Sequence, residues 1–251
     1  MEPGEYATMF AVEDRHWWYR GVRTEIERAI RRFAPPAGKW LDAGCGTGGL
    51  LAGLSSMASG TGIDISPIGL RLARSRGLTR LARASVSSLP FGGEAFTVIT
   101  SVDVLAHRQV DLAEALREHV RCLRPGGLLI LQLPAFDALR GGHDDAVWTR
   151  RRYRKAEVAE ILRVSGFEVR SIFYRNSLLF PVAALRRLLS RRSPRRAPRS
   201  DVSPVAAPIN AALYRVLEVD ALFRRLGLRI PFGLSVFCVA SRAEGAARQV
   251  G

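Results

Sequence analysis

A chain of 251 residues, 47% of them hydrophobic, has the size and composition of one α/β domain or of one domain with an insertion. Its three cysteines form no Cys-x-x-Cys pair, which argues against a disulfide framework or a metal site and favours a reducing compartment. The net charge of +15 comes almost entirely from arginine, and a chain so basic favours nucleic acid, anionic lipid or acidic small molecules as partners.

Signals for export and for membrane spanning are not recognised in the sequence. The first residues lack a basic segment followed by an apolar core, so we expect no signal peptide. The uncharged apolar stretch at 177–185 has nine residues, against the roughly 20 that a membrane-spanning helix needs. We therefore expect a cytoplasmic protein, with the inner membrane face as an alternative location.

Helical and extended patterns alternate along the first two thirds of the chain. Apolar residues recur every three or four positions over residues 13–33, which predicts a helix, and Ser66-Pro67 is typical of a helix start. Further helices are predicted over 50–58, 110–123 and 154–166, and strands over 39–44, 61–66, 81–86, 96–102, 128–134 and 167–175, with a turn at 124–127. Repeated strand–helix units imply a parallel sheet covered on both faces.

The alternation breaks near residue 176. An apolar helix is predicted over 176–189, a flexible Arg/Ser/Pro-rich loop over 190–204, a second helix over 208–228 and a final strand over 232–241. The sequence thus predicts three parts: a helical lid at 1–38, a sheet domain formed by 39–175 and 231–251, and a basic helical insertion at 176–230.

The stretch LDAGCGTGGL, residues 41–50, predicts a ligand site between a strand and a helix. Glycines let the backbone approach a ligand closely, and a helix N-terminus offers free N–H groups to an anionic or ribose-bearing molecule. Asp42 precedes this glycine turn. Asp64 ends the next strand, where a carboxylate can accept both hydroxyls of a ribose.

The combination LDAGCGTG, GIDIS, LPF and LRPGGLLIL resembles the class I S-adenosylmethionine-dependent methyltransferases over roughly residues 39–175. The resemblance implies a Rossmann-like α/β fold: a seven-stranded, mostly parallel sheet with an antiparallel last strand, helices on both faces and a helical insertion before that strand. It also implies S-adenosyl-L-methionine as cofactor, and no metal.

The same resemblance implies roles for individual residues. The glycine turn would surround the methionine part of the cofactor through Asp42, Gly44, Cys45, Gly46 and Gly48. Asp64 would hold the ribose and Ile65 would lie against the adenine, while Ser101, Val102 and Asp103 would pass beneath the sulfonium. Ser85 stands where such proteins usually carry an acid that receives the adenine amino group.

A narrower resemblance rests on EDRHWWYRGVR, LPAFDALRGGHD and RRY. These segments are similar to a bacterial methyltransferase subgroup linked to glycan, glycolipid or specialised-metabolite pathways. Members often have a histidine two residues before RRY, and Thr149 stands there in this chain.

Candidates for acid–base chemistry come mainly from the few histidines, whose pKa lies near neutrality. His107 follows the strand expected beneath the cofactor, and could equally be an ordinary residue at a helix start. The pair His143-Asp144 follows the fifth strand, with a surface loop as the alternative. His16 lies beside two tryptophans, and His119 is expected to be solvated on a polar helix face.

Candidates for substrate binding are aromatic and basic residues. Trp17 and Trp18 could form an aromatic lid or belong to the core and its surface. Arg151, Arg152 and Tyr153 could bind a phosphate or carboxylate, or be solvated. Phe136, with the aromatic residues at 17–19, could stabilise positive charge by cation–π contact.

The basic insertion has two interpretations. Apolar helices beside an arginine run favour a surface that meets anionic lipid, and the alternative is a lid packed on the sheet. Nucleic-acid binding is not expected, because the run has no interleaved aromatic residues.

We therefore predict a methyltransferase acting on a lipophilic or glycosylated small molecule, most simply at oxygen. The alternatives are a C-methyltransferase of isoprenoid-like chains, an NAD-dependent oxidoreductase and a non-catalytic module bound at a membrane surface.

Overall fold

Seven strands form one mixed sheet in the computed structural model, which describes residues 2–34, 38–57, 59–190 and 203–244. The strands are β1 (Trp40–Ala43), β2 (Gly60–Asp64), β3 (Leu81–Arg83), β4 (Phe96–Val102), β5 (Leu123–Pro134), β6 (Phe167–Arg175) and β7 (Ser235–Arg242). Their order across the sheet is β3-β2-β1-β4-β5-β7-β6. The first five strands are parallel, and β7 runs antiparallel to both of its neighbours, β5 and β6. The predicted fold class is confirmed.

The described helices are α1 (Pro3–Val12), α2 (Trp17–Phe33), α3 (Gly49–Gly53), α4 (Pro67–Ser75), α5 (Leu112–Cys122), α6 (Gly142–Ala146), α7 (Lys155–Val164), α8 (Phe180–Ser190) and α9 (Ala207–Arg225), with a 3-10 turn at Asp137–Leu139. The predicted start of α4 is confirmed, because the Ser66 hydroxyl accepts the N–H of Gly69 and Pro67 is the first helical residue.

Helices cover both faces of the sheet because successive strand residues point to opposite sides. On one face Leu41 and Leu129 pack against Leu116 of α5 and Leu162 of α7. On the other face Trp40, the next residue along β1, packs in a cluster with α2, α3 and α4 that includes Ile26, Leu51 and Leu70. The sheet is therefore buried between two hydrophobic layers, and its carboxyl edge is left for the site.

The N-terminal region differs from the prediction. The expected helix over 13–33 starts at Trp17, because His16 adopts an extended conformation and its ring accepts the N–H of Trp18 as an N-cap. A separate helix, α1, precedes it, and the sequence analysis did not predict it. The chain reverses between the two helices, which brings Glu13 into the interior, where it is 5% exposed.

Two strand boundaries also differ. The predicted strand 81–86 stops at Arg83, because the Ser85 hydroxyl accepts the N–H of Ser87 and turns the chain. The predicted turn 124–127 lies inside β5. It is looped out as a bulge, since Leu123 pairs with Phe96 and Leu128 already pairs with Val98.

The predicted insertion contains α8 and α9. Helix α9 packs along α2, where Leu217 lies against Gly21 so closely that a Cβ on that glycine would clash. Helix α8 follows β6 and contacts the 3-10 turn at Asp137–Leu139. The predicted loop 190–204 falls mainly on residues 191–202, which lie outside the described residues.

No helix in the described part of the chain combines the length and apolar character needed to cross a bilayer.

Candidate functional site

The glycine turn lies between β1 and α3, at the carboxyl edge of the sheet. Gly44 and Gly46 have φ values of 88° and 54°, which side chains other than glycine rarely adopt. A Cβ on Gly44 would collide with Val104, which follows β4. The turn is therefore held against the β4 loop, and its backbone is exposed to the adjoining cavity.

Asp64 at the end of β2 fixes this turn. Its two carboxylate oxygens accept the N–H groups of Gly46 and Ser66, each at 2.8 Å. Burial raises the pKa of Asp64, and the two backbone N–H groups counteract that rise. Because each carboxylate oxygen has two acceptor positions, Asp64 keeps capacity for the hydroxyls of a ribose.

Asp42 in β1 is buried and accepts the hydroxyl of Thr100 at 2.7 Å. The indole of Trp40 in turn donates to that hydroxyl at 2.9 Å, so the direction of the hydrogen bonds is fixed. Burial raises the pKa of Asp42 to about 7, and the nearby carboxylates of Asp64 and Glu13 add to the rise. A cationic ligand in the cavity would favour the charged form of Asp42.

Glu13 is a site residue that the sequence analysis missed. It accepts hydrogen bonds from the hydroxyl of Thr47 in the glycine turn and from Arg76, the latter at 2.9 Å. Arg76 also donates to the carbonyl of Thr47 at 3.0 Å. Helix α1 is thus attached to the glycine turn by a buried ion pair, which we call the Glu13–Arg76 clamp.

A cavity of about 740 Å³ extends from the glycine turn to helix α8, a size typical of ligand sites. All four predicted acid–base candidates line it, namely His16, His107, His143 and Asp144. So do eight predicted cofactor residues, which are Asp42, Gly44, Cys45, Gly46, Asp64, Ile65, Ser85 and Asp103, and the tryptophans Trp17 and Trp18.

Val102 and Arg152 also line the cavity. Five further predicted site residues are not part of the lining described: Gly48, Ser101, Phe136, Arg151 and Tyr153. Gly48 has a φ of 80° and would clash with Leu78 if it carried a Cβ, so it serves the packing of the turn. The hydroxyl of Ser101 is buried and has no hydrogen-bond partner within the described part of the chain. Phe136 stacks on Tyr174 at 5.0 Å between ring centroids.

The three residues of the RRY segment lie in two different environments. Tyr153 is buried in the core beneath the guanidinium of Arg151, which also pairs with Glu157. Arg152 instead reaches the cavity and binds the buried carboxylate of Asp144, at 2.9 Å and 3.1 Å. Asp144 is therefore engaged in an ion pair at the cavity wall.

Two of the histidine candidates have an acceptor nitrogen already in use. Nδ1 of His16 accepts the N–H of Trp18, and Nδ1 of His107 accepts the N–H of Gln109, both at 3.3 Å. Burial lowers the pKa of both rings, that of His107 to about 4. Both rings are therefore neutral near pH 7, and His107 is a weak base.

The expectation for His119 is wrong. It is fully buried in α5, with Nδ1 bonded to the carbonyl of Ala115. The helix turns this side chain toward the sheet together with Leu116 and Val120. Burial lowers the pKa of the ring, so His119 is a neutral histidine of the hydrophobic core.

A chain of buried polar side chains runs beneath the cavity from β4 to β6. The amide nitrogen of Gln132 donates to Asp103 Oδ2 at 3.0 Å, and its amide oxygen accepts from Arg175. The next residue, Asn176, is 2% exposed and lines the cavity. The sequence signal for this chain is Gln132, a single polar residue in the apolar run LLILQLP.

The site fits a nucleoside that carries a charged sulfur. Asp64 has acceptor capacity for ribose hydroxyls. Asp42, Asp103 and Glu13 are carboxyl groups whose pKa burial raises, so a positive charge among them would be stabilised. Groups of acidic residues, histidines and cysteines that could hold a metal ion are not found in the described ranges.

Comparisons with known proteins point to one family. Residues 41–131 match the family described as "Methyltransferase domain". An uncharacterized methyltransferase, YodH, of Bacillus subtilis is 31% identical over 65% of this chain and 73% of its own length. A probable S-adenosylmethionine-dependent methyltransferase of Mycolicibacterium smegmatis is 26% identical over 64% of this chain.

A phthiotriol/phenolphthiotriol dimycocerosates methyltransferase of Mycobacterium leprae is 36% identical over 44% of this chain. The chain spans 63% of the length of the M. smegmatis relative and 40% of the M. leprae one.

Among solved structures, the complex of the Haloferax volcanii Trm112 activator with a methyltransferase has a TM-score of 0.62. It is 19% identical, with 96% of this chain and 95% of that chain covered, which supports the fold. The glycine turn, the strand order and the B. subtilis relative agree, and the chain belongs to the class I S-adenosylmethionine-dependent methyltransferase family.

Proposed function

We propose that this protein transfers the methyl group of S-adenosyl-L-methionine to a lipophilic or glycosylated small molecule, most simply at an oxygen atom. The observation that carries the proposal is the set of residues that line the cavity. One part of the lining is the glycine turn with its buried carboxylates, and another part comes from the insertion, where apolar side chains lie beside Arg186 and Arg187.

The apolar part of the lining favours a lipophilic acceptor. The cavity lining includes Leu179, Val182 and Ala183 of the α8 region together with Leu139 and Val147, so an acceptor chain beside them would leave water. Burial of apolar surface contributes roughly 25 cal/mol per Å². Arg186 and Arg187 also line the cavity and would suit an acidic or phosphate group on the acceptor.

The names of the relatives support the same substrate class. The M. leprae relative is named for phthiotriol and phenolphthiotriol dimycocerosates, and a triol carries hydroxyl groups that a methyltransferase can modify. This chain matches less than half of that protein, so the support concerns the class of acceptor and not the compound.

We further propose a location at the inner membrane face for this otherwise cytoplasmic protein. On α8, Val182, Leu185 and Leu189 are each at least 58% exposed. Their spacing of three and four residues places them on one side of the helix, and we call them the α8 stripe. The stripe and the neighbouring arginines would meet the acyl boundary and the anionic head groups of a bilayer.

The same observations support the three-part organisation, which also remains a proposal. The helices at 1–38 would cover the cofactor end of the cavity. The insertion at 176–230 would cover the acceptor end, and the sheet domain would supply the glycine turn.

The test is transfer of a trideuteromethyl group. Protein, labelled cofactor and lipid extract are incubated, and products are compared by mass spectrometry with those formed from unlabelled cofactor. A product three mass units heavier supports the proposal, and fragmentation assigns the methyl group to oxygen or to carbon. Carbon labelling would favour the C-methyltransferase alternative, in which Trp17, Trp18 and Tyr19 at the cavity wall would stabilise positive charge.

Calorimetry with S-adenosylhomocysteine and with NAD gives the second measurement. Binding of S-adenosylhomocysteine without any labelled product from any extract would favour a non-catalytic binding module. Binding of NAD alone would contradict the proposal altogether.

A further inference from the structure

Among the residues that the structure describes, two buried oxygen atoms at the cavity have no hydrogen-bond partner. They are Oδ1 of Asp103 and Oδ1 of Asn176, and both residues line the cavity. A buried acceptor without a donor costs about 1–3 kcal/mol. Such atoms are therefore rare unless another molecule donates a hydrogen bond to them. Two of them in one cavity point to a ligand that carries hydrogen-bond donors.

The fold brings both residues to the same edge of the sheet. Asp103 follows the last residue of β4, and Asn176 follows the last residue of β6. Strands β4, β5 and β6 run in one direction, since β4 is parallel to β5 and both β5 and β6 are antiparallel to β7. The two side chains therefore lie at the carboxyl edge, where ligands bind in sheets of this kind.

The backbone is strained at both positions. Asp103 has a φ of 57° and Asn176 a φ of 59°, a conformation that costs energy for residues other than glycine. Aspartate and asparagine tolerate it better than most side chains do. Residues held in this way cluster at functional sites, because the surrounding structure must compensate for the strain.

The orientation of Asp103 is set by the buried chain beneath it. Arg175 has only donors, so Gln132 must turn its amide oxygen toward Arg175 and its amide nitrogen toward Asp103. The backbone N–H of Asp103 also donates to the carbonyl of Gln132 at 2.9 Å. One carboxylate oxygen is thereby occupied, and the other is left for the cavity.

Three of the other acid–base candidates, Asp144, His16 and His107, are less suited to take a proton from an acceptor. Asp144 is bound by Arg152 through both carboxylate oxygens. The Nδ1 atoms of His16 and His107 accept backbone N–H groups. Asp103 combines an open acceptor atom with a place beside the glycine turn.

On the basis of the methyl transfer proposed above, we infer that Asp103 is the catalytic base and that Asn176 receives a second donor of the same acceptor. The acceptor would then carry at least two hydroxyl groups, or one hydroxyl and another N–H or O–H donor. This narrows the substrate class to lipophilic molecules with at least two hydrogen-bond donors, such as diols, amino alcohols, polyols or sugar-bearing molecules.

The step balances in atoms and charge. The cofactor, when bound, supplies a methyl group whose bond to a positively charged sulfur breaks as the new bond to the acceptor oxygen forms. The O–H proton of the acceptor passes to Oδ1 of Asp103. The positive charge lost from sulfur is matched by the negative charge lost from the carboxylate, which later releases the proton to water.

The surroundings of Asp103 set the pH at which it can act. Burial raises its pKa to about 6, while Gln132, Arg175 and Arg152 lower it and Asp144 raises it. The buried phenol of Tyr19 on α2 also faces this carboxyl group. Asp103 is thus charged at neutral pH, and transfer should increase as pH rises through about 6.

The experiment compares wild type with Asp103→Asn, a change that keeps the side-chain shape and suits the positive φ. Each protein is tested for S-adenosylhomocysteine affinity by calorimetry and for trideuteromethyl transfer to lipid extract. We expect transfer to fall by about 10²–10⁴-fold, the usual contribution of a general base. We expect the affinity to change by less than about threefold, because the sulfur of S-adenosylhomocysteine carries no positive charge for this carboxylate to stabilise.

The second site is tested with Asn176→Gly and Asn176→Asp. Both fit the backbone angle, but only the aspartate keeps an acceptor oxygen. Asn176→Gly should need about tenfold more extract for half-maximal transfer, one lost hydrogen bond being worth about 1.4 kcal/mol. Asn176→Asp should retain more of the wild-type behaviour. Glu160→Gln, a change at an exposed residue of α7, is the matched control.

A measurement without turnover completes the test. In protein labelled at the aspartate carboxyl carbons and bound to S-adenosylhomocysteine, the signal missing from Asp103→Asn should titrate near pH 6. Transfer by Asp103→Asn within threefold of wild type, an affinity loss above tenfold, or no titration between pH 4 and 8 would each overturn the inference. Failure of wild type to bind S-adenosylhomocysteine would instead overturn the proposed function.

Discussion

Asp64 holds the glycine turn in place, and we expect the same carboxylate to bind the ligand. It accepts the backbone N–H groups of Gly46 and Ser66, so it links the glycine turn to the start of α4. We expect Asp64→Asn to weaken S-adenosylhomocysteine binding by about 10- to 100-fold, since hydrogen bonds to a charged group contribute about 1.5–3 kcal/mol. Calorimetry measures this, and an unchanged affinity would argue against a ribose contact.

Asp42 should make the stability of the ligand-free protein depend on pH. Its pKa in the folded state is raised to about 7 from 3.8. A raised pKa contributes stability that is complete below the unfolded value and is lost as pH rises through the folded value, about 1.4 kcal/mol per unit. This loss falls between about pH 4 and pH 7.

Asp42→Asn removes that titration. The variant should therefore be more stable than wild type at about pH 8, and close to it only at about pH 4, by equilibrium urea unfolding. Glu160→Gln serves again as control. An equal difference in the free energy of unfolding at both pH values would show that folding does not raise the pKa of Asp42.

Sequence reasoning was most successful for residues that belong to a local motif. Asp42, Gly44 and Asp64 were predicted because a strand, a turn and a strand end place them. Glu13, Gln132 and Asn176 come from separate elements, and only tertiary packing brings them to the cavity. No spacing in the sequence relates them.

The Glu13–Arg76 clamp attaches helix α1 to the glycine turn. Arg76 also binds Asp14 through both carboxylate oxygens at 2.8 Å, but the side chain of Asp14 is 56% exposed and that of Glu13 only 6%. Arg76→Ala leaves the carboxyl group of Glu13 buried without its cation. We expect a loss of about 3–5 kcal/mol in the free energy of unfolding.

Asp14→Ala is the matched control on the same arginine. An exposed ion pair contributes about 0–1 kcal/mol, so this variant should unfold at nearly the wild-type urea concentration. Equal losses in the free energy of unfolding for Arg76→Ala and Asp14→Ala would mean that the buried Glu13–Arg76 pair stabilises the fold no more than the exposed Asp14–Arg76 pair does.

The α8 stripe makes a separate prediction about membranes. Leu185 and Leu189 do not line the cavity, so Leu185→Ser with Leu189→Ser alters the stripe alone. Sedimentation with vesicles of phosphatidylglycerol and phosphatidylcholine should show about tenfold weaker binding, from apolar area no longer buried. Leu226→Ser with Leu228→Ser, at equally exposed positions beyond the stripe, should bind as wild type does.

Helices and strands were predicted correctly where their pattern of apolar and polar residues was regular. The strands β4 and β6 were predicted with their observed bounds, because β-branched and aromatic residues fill them. Helix α1 was missed because its apolar residues are not confined to one side, and the bulge inside β5 was taken for a turn because Pro125, Gly126 and Gly127 usually end a strand.

Cofactor binding should stabilise the whole molecule. A ligand that binds only the folded state at about 100 times its Kd adds about 2.7 kcal/mol. For a chain of this size that corresponds to an increase of about 5–10 °C in Tm. Differential scanning fluorimetry with S-adenosylhomocysteine should show this shift, and NAD at the same concentration should show none.

The position of β7 has a consequence for synthesis on the ribosome. β7 lies between β5 and β6, yet it is made some sixty residues after β6 ends. Until it emerges, the nascent chain exposes two strand edges that can pair with other chains. Completion of the sheet, and with it the Gln132–Arg175 contact across β7, is therefore a late event of translation, and chaperone dependence should be greatest just before residue 235 leaves the exit tunnel.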